Sequence, residues 1–162
     1  SEIDSVLQEI PGVQIANINA PGQVVVSGEA CAVDQLKAKW PDAKIVELNV
    51  SAPFHCAIMA PAAERLSQDL DALEIKPCKF PVFANVHGRA ISEPEDVRQA
   101  LKDQVCGQVR WVDCVNNAIA QTHPDFAIEF GVGNVLTGLQ KRINKELKCY
   151  SPEQCPFPLI MN

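Results

Sequence analysis

The chain has 162 residues, 47% of them apolar, and a net charge of −6, enough apolar material to bury the core of one ordinary domain or of two small lobes. Its Lys and Arg residues are scattered rather than striped, which leaves no basic surface for a nucleic acid. Apolar runs such as Val24-Val25-Val26 stop far short of the roughly 20 residues that span a bilayer, so neither a membrane nor a secretory address is expected. Seven cysteines at irregular spacings contain no C-x-x-C pair; they read as reduced thiols, mostly small core residues, in a cytoplasmic protein.

Ile3, Val6, Leu7 and Ile10 recur at helical spacing, and Pro11-Gly12 ends the helix they predict. Two β-branched runs over 13–18 and 23–27 are joined by Ala20-Pro21-Gly22, a tight-turn signal that predicts a hairpin. A helix over 30–40 is stopped by Pro41, and 44–50 reads as a further strand. Helix, hairpin, helix and strand in that order form a ferredoxin-like βαββαβ unit that lacks its first strand.

The texture changes near Val50. Ser51-Ala52-Pro53-Phe54 is a loop, and 58–73 is an amphipathic helix with Pro61 near its first turn, where a missing N–H matters least. A strand over 80–86 runs into turn residues at His87-Gly88, and helices follow over 95–105, behind Pro94, and over 111–120. The run 126–130 reads as a buried strand, Gly131-Val132-Gly133 as a turn, 134–147 as a helix and 150–162 as an irregular tail. Alternating strands and helices predict α/β architecture, divided into 1–50, 51–149 and 150–162.

Only three histidines are available as a general base. His55 lies in a loop leading into a helix, where α/β scaffolds expose functional side chains, although a capping or core role suits the same local context. His87 and His123 sit in turns beside Gly88 and Pro124 and read as surface residues. A histidine base also needs a nucleophile and a third group that fixes its tautomer. None of the seven serines stands in a G-x-S-x-G elbow; Ser27-Gly28 lies at a strand end but lacks the glycine on its amino side. Cys56 adjoins His55, yet consecutive side chains diverge, so it reads as a buried thiol. Gly131-Val132-Gly133 lacks the third glycine of a dinucleotide loop, position 136 being Leu136. Lys141-Arg142 is a solvated face or a basic patch able to receive an acidic protein.

Three stretches stand out as a set: Asn17-Ile18-Asn19-Ala20-Pro21-Gly22-Gln23 through Ser27-Gly28, Val50-Ser51-Ala52-Pro53-Phe54-His55-Cys56 through Met59, and Phe126 through Gly133 to Leu139 with Lys141-Arg142-Ile143. In this order they resemble malonyl-CoA:acyl carrier protein transacylases and the acyltransferase domains of polyketide synthases, from about Ser1 to Leu147. The resemblance implies a ferredoxin-like small subdomain over 1–50, followed by the carboxyl-terminal part of an α/β-hydrolase-like large subdomain. It implies malonyl-CoA and acyl carrier protein as partners, with the coenzyme A thioester as substrate and no metal or cofactor.

The same resemblance makes His55 the base that activates a serine, and Gln104 the residue whose backbone carbonyl orients it. Phe54 matches the specificity position, where a ring would crowd a methyl-branched extender; it also suits simple loop packing. Asn17 and Asn19 would face the substrate cleft, though turn-forming asparagines suit a hairpin equally well. The family's serine, in a Gly-His-Ser-x-Gly elbow, has no counterpart in these residues, so a separate amino-terminal segment is expected to supply it. Other readings are a non-catalytic carrier-protein-binding module, a polyketide-pathway acyltransferase and an acyl hydrolase.

Overall fold

The computed structural model describes residues 2–156. Residues 157–162 of the expected tail lie outside the described residues. The architecture is α/β, and it opens with α1 (Glu2–Gln8), β1 (Val13–Ala20), β2 (Gln23–Gly28) and α2 (Ala30–Lys39).

β1 and β2 pair antiparallel from Val13↔Gly28 to Ala20↔Gln23, which leaves Pro21-Gly22 as a two-residue loop. Gly22 takes φ 70°, a left-handed conformation that glycine adopts without a Cβ penalty. The two helices close over the hairpin: Ile10, Val13, Ala32 and Leu36 are buried together, with Val6, Leu7, Val26, Val33 and Trp40 packed against them. Burying each large side chain contributes about 1.5–3 kcal/mol. At Gly28 the backbones approach so closely that a Cβ would lie 2.0 Å from the Gly12 carbonyl oxygen.

The strand expected over 44–50 is not formed. Its apolar residues alternate as a strand requires, but Val46, Leu48 and Val50 are exposed and no ladder partner is present among the described residues. Periodicity reports a capacity to pair, whereas pairing needs a free neighbouring edge. On the edge of β1 away from β2, a parallel bridge joins Asn17 to Val109.

The remainder contains a 3-10 turn (Ala57–Met59), α3 (Ala60–Ala72), β3 (Val82–Ala84), β4 (Arg89–Ile91), α4 (Pro94–Gln104), α5 (Trp111–Thr122), β5 (Phe126–Ile128), α6 (Val135–Ile143) and β6 (Lys148–Tyr150). The strand expected over 80–86 shortens to β3 and gains an antiparallel partner, β4, across a turn in which Gly88 takes φ 64°. α3 and α4 each place a proline in the first turn, where no N–H partner is lost. α5 ends at His123, which takes φ 45° and donates its N–H to the Ile119 carbonyl.

α6 stops at Ile143, short of the expected 147. Asn144 leaves helical geometry, and its Oδ1 accepts the N–H groups of Glu146 and Leu147, a side-chain turn that competes with helix. The chain then returns as β6, parallel to β5 from Phe126↔Lys148 to Ile128↔Tyr150, so Tyr150 belongs to a strand rather than to the tail. Of the cysteines, only Cys56 and Cys114 are buried, fewer than a core assignment for most of them requires; all seven are free. Burial pushes the Cys114 thiol up to about 11. No helix among the described residues is long and apolar enough to cross a membrane.

Glu129, just past β5, caps α6 from a distance: its carboxylate accepts the Leu136 and Thr137 N–H groups at 2.9 and 2.8 Å and the Thr137 hydroxyl at 2.7 Å. The Thr137 hydroxyl first, and then these N–H groups, hold the carboxyl below its usual range. A value depressed in the folded state stabilises above the unfolded carboxylate range, near pH 4.3, and is lost as pH falls through the folded value. Glu129→Gln is therefore expected to lower the melting temperature at pH 7, with the gap closing below about pH 4. Circular-dichroism melts across that range check it; an equal gap at pH 7 and pH 3 would remove the charge from the cap.

Candidate active site

His55 stands in the turn between Pro53 and α3 with φ 60°, a region that residues with a Cβ rarely occupy and that costs about 1–3 kcal/mol. No helix precedes it, so the C-cap geometry that explains His123 does not apply. The turn is braced on both sides: the Cys56 thiol, 1% exposed, points to the Pro53 carbonyl at 3.1 Å, and the Ala57 N–H donates to Gln14 Oε1 at 3.1 Å.

The conformation brings His55 Nδ1 to 3.1 Å from the Gln104 carbonyl oxygen. A carbonyl only accepts, so this contact is a hydrogen bond in the Nδ1–H tautomer. Gln104 Nε2, a donor that suits the other tautomer, lies farther from the same nitrogen at 3.5 Å, and the shorter contact favours Nδ1–H, which leaves the Nε2 lone pair free. Both groups that face Nδ1 are neutral and belong to Gln104.

Gln104 is the last residue of α4, where helical carbonyls lack an intrahelical partner. The chain folds over behind it: Gly107 N–H donates to the Asp103 carbonyl at 2.8 Å, and Gln104 Nε2 donates to the Gly107 carbonyl at 3.1 Å. A Cβ on Gly107 would sit 2.5 Å from both the Asp103 carbonyl oxygen and Val86 Cγ2. Gln99 Nε2 donates to Asp103 Oδ1 at 2.7 Å, and His87 Nε2 lies 3.7 Å from Asp103 Oδ2; His87 is thus half-buried against α4 rather than a surface residue.

α4 is also tied to α3. The Arg98 guanidinium donates to the Leu70 and Leu73 carbonyls at the end of α3, and Lys102 Nζ meets Asp71 Oδ1 at 2.6 Å. The backbone caps satisfy orphan carbonyls, whereas the half-exposed ion pair contributes at most about 1 kcal/mol.

Of the residues marked in the sequence, His55 and Gln104 are therefore brought together across the chain. Phe54 is 46% exposed beside His55. Asn17 and Asn19 lie half-buried on β1, and Asn17 sits at the bridge to Val109. Lys141-Arg142 is only partly a free basic face, because Arg142 donates to the Pro21 carbonyl and to Gln23 and so ties α6 to the hairpin loop. Sequence reasoning passed over Gln14 and Gly107. Gly107, shortly beyond a helix end, carried a readable signal; Gln14 carried none, because its contact spans distant parts of the chain.

No protein-family model matches the chain. It is 43% identical over 148 residues, 90% of its length, to the malonyl CoA-acyl carrier protein transacylase of Bacillus subtilis (strain 168). Among solved structures it is similar to the malonyl CoA-acyl carrier protein transacylase of Clostridium perfringens, with a TM-score of 0.88 and 33% identity over 95% of this chain and 50% of that one. It is also similar to a malonyl-transacylase solved in complex with its type II polyketide-synthase acyl-carrier protein, with a TM-score of 0.86 and 37% identity over 94% of this chain and 51% of that one. The chain spans about half the length of the curated relatives it matches.

By sequence and fold, then, the chain is a relative of acyl-transferring α/β enzymes. More narrowly, it is homologous to the carboxyl-terminal half of malonyl-CoA:acyl carrier protein transacylases.

Gly107→Ala is expected to push the Gln104 turn off His55 and to destabilise the fold by about 1–3 kcal/mol through overpacking. Urea unfolding measures the second effect and the imidazole nitrogen NMR signals of His55 the first. A variant with native stability and an unmoved Nδ1–H signal would show that the turn has room to spare.

Proposed function

We propose that this chain supplies the histidine half of a malonyltransferase active site, in an enzyme that moves malonyl from coenzyme A to the phosphopantetheine thiol of acyl carrier protein in fatty acid synthesis. The observation that carries the reading is the His55 Nδ1–H to Gln104 carbonyl hydrogen bond at 3.1 Å. It leaves Nε2 able to take a proton, as a general base must.

In this reading a segment outside the 162 residues presents a serine to Nε2. His55 takes the hydroxyl proton as the serine oxygen attacks the malonyl thioester carbonyl, and the proton then goes to the departing coenzyme A thiolate. In the return half, His55 takes the proton of the phosphopantetheine thiol as its sulfur attacks the acyl-serine ester, and gives it back to the serine oxygen. The Gln104 carbonyl stays neutral throughout, accepting from Nδ1–H in both protonation states of the ring. No cofactor enters either half.

Within this scheme Phe54 lines the acyl pocket and disfavours methyl-branched extenders, while Asn17 and Asn19 border the cleft from β1. Residues 1–50 act as the small ferredoxin-like subdomain and 51–149 as the returning part of the large α/β-hydrolase-like one.

Exposed apolar residues support a further segment. Phe130 is 65% exposed, and Val132 and Val135, close to it in sequence, are exposed as well; exposed large apolar residues grouped in this way suit a surface that other protein covers. Between α5, β5 and α6 lies a cavity of about 270 Å³ lined by Trp111, Ile119, Phe126, Leu136 and Gln140. Trp111 Nε1 and Gln140 Oε1, on two residues of that lining, are buried without hydrogen-bond partners among the described residues.

Mass spectrometry of the purified protein is expected to find a second polypeptide, or a longer form of this one, carrying a Gly-His-Ser-x-Gly motif. Radiolabelled malonyl-CoA should then acylate that serine, and His55→Ala should slow acylation by at least about 100-fold. Undiminished labelling in His55→Ala would remove His55 from the mechanism, and labelling of the 162 residues alone would overturn the external serine. Phe54→Ala should narrow the preference for malonyl over methylmalonyl by about tenfold, as one methyl group allows; competition between the two thioesters measures it.

A further inference from the structure

We propose that Gln14 is a positioning residue for His55: from β1, its side-chain carbonyl holds the turn that carries the histidine. The proposal rests on the reading of His55 as the base and goes beyond it, because Gln14 lies outside the three motif stretches of the sequence.

Three observations converge on it. First, His55 is held at φ 60°, a conformation that persists only where its surroundings over-determine it. Behind it, the chain enters the 3-10 turn Ala57–Met59 and then α3. The N-cap of that turn, Cys56, offers no side-chain cap, its thiol being directed to the Pro53 carbonyl. The Ala57 N–H is one of the orphan donors of a helix start, and Gln14 Oε1 receives it at 3.1 Å from 43 residues away.

Second, Gln14 is itself anchored. Its backbone pairs with Ser27 across the β1–β2 ladder, and Val13 before it and Ala16 two residues on are buried, although Gln14 itself is exposed. A side chain on a two-stranded ladder is a firmer reference than one on the loop it steadies.

Third, the same strand grips the partner of His55. Val109 N–H donates to the Ala16 carbonyl at 2.7 Å, Ile18 N–H to the Val109 carbonyl at 2.8 Å, and Gln108 Nε2 to the Ile15 carbonyl at 3.3 Å. These bonds seize the chain directly after the turn that presents the Gln104 carbonyl. β1 therefore touches both sides of the pair, the histidine loop through Gln14 and the carbonyl turn through Ile15, Ala16 and Ile18. The separation of His55 Nδ1 from its acceptor is set against one common strut.

Because Ala57 and its bond to Gln14 are exposed, water replaces Gln14 at little cost in stability. The consequence of losing it falls on geometry instead, and a small displacement of a catalytic group is costly in rate: about 1 Å lowers turnover by on the order of 100-fold.

Three substitutions test this. Gln14→Ala removes the acceptor, Gln14→Asn retracts it by one methylene, and Gln14→Glu keeps an oxygen at the same reach. Amide exchange at Ala57 is expected to quicken about tenfold in Gln14→Ala and Gln14→Asn and to stay native in Gln14→Glu. The imidazole nitrogen NMR signals of His55 should lose their Nδ1–H character in the first two and keep it in the third. In the enzyme with its serine-bearing segment present, kcat should fall about tenfold for Gln14→Ala, with KM for malonyl-CoA unchanged and recovery in Gln14→Glu.

Native Ala57 exchange and native His55 signals in both Gln14→Ala and Gln14→Asn would overturn the proposal, whatever the rates. Responses at Ala57 and His55 in a protein whose native form transfers no malonyl would leave the positioning role standing and defeat the malonyltransferase reading instead.

Discussion

One hydrogen bond, between His55 Nδ1 and the Gln104 carbonyl, joins residues 49 positions apart, and much of the structure answers to it. It asks for a histidine turned out of ordinary backbone space and for a helix that ends with a carbonyl unspent. It also needs the two segments that carry these groups to meet. A carbonyl partner brings no charge to the histidine, so the site avoids the desolvation that a carboxylate partner would bring. The orientation is correspondingly only as good as the backbone turn that presents the oxygen.

That turn is held from three directions. Gly107 closes it tightly enough that a Cβ has nowhere to go. Arg98 and Lys102 fasten α4 to the end of α3, the helix that grows out of the histidine loop. β1 lies against the chain on the far side through the Val109 bridge. The hairpin lobe, whose own core of Ile10, Val13, Ala32 and Leu36 contains none of the pair, thereby acts on the pair through a strand edge.

Local signals served the helices well, because their ends are written in residues that act at short range. Pro94 opens α4, and the spacing of apolar positions marked α3 and α5 to within a few residues. They failed where the decision lay elsewhere. The segment 44–50 alternates like a strand and pairs with nothing among the described residues. Asn144 ended α6 early, by a side-chain turn that returned the chain as β6 beside β5. In the site, the prominence of His55 was legible from its loop context and its motif, whereas Gln14 looked like any polar residue on a strand.

By itself, then, the sequence determined the local alphabet of this protein: where helices begin and where the hairpin turns at Pro21-Gly22. These follow from backbone sterics, capping and hydrophobic periodicity, all of which act over a few residues. Only the tertiary structure decided that Nδ1 of His55 meets the Gln104 carbonyl and that Gln14 reaches the histidine loop. Those facts depend on groups 43 and 49 residues apart, and no local rule relates positions so distant until the chain has packed.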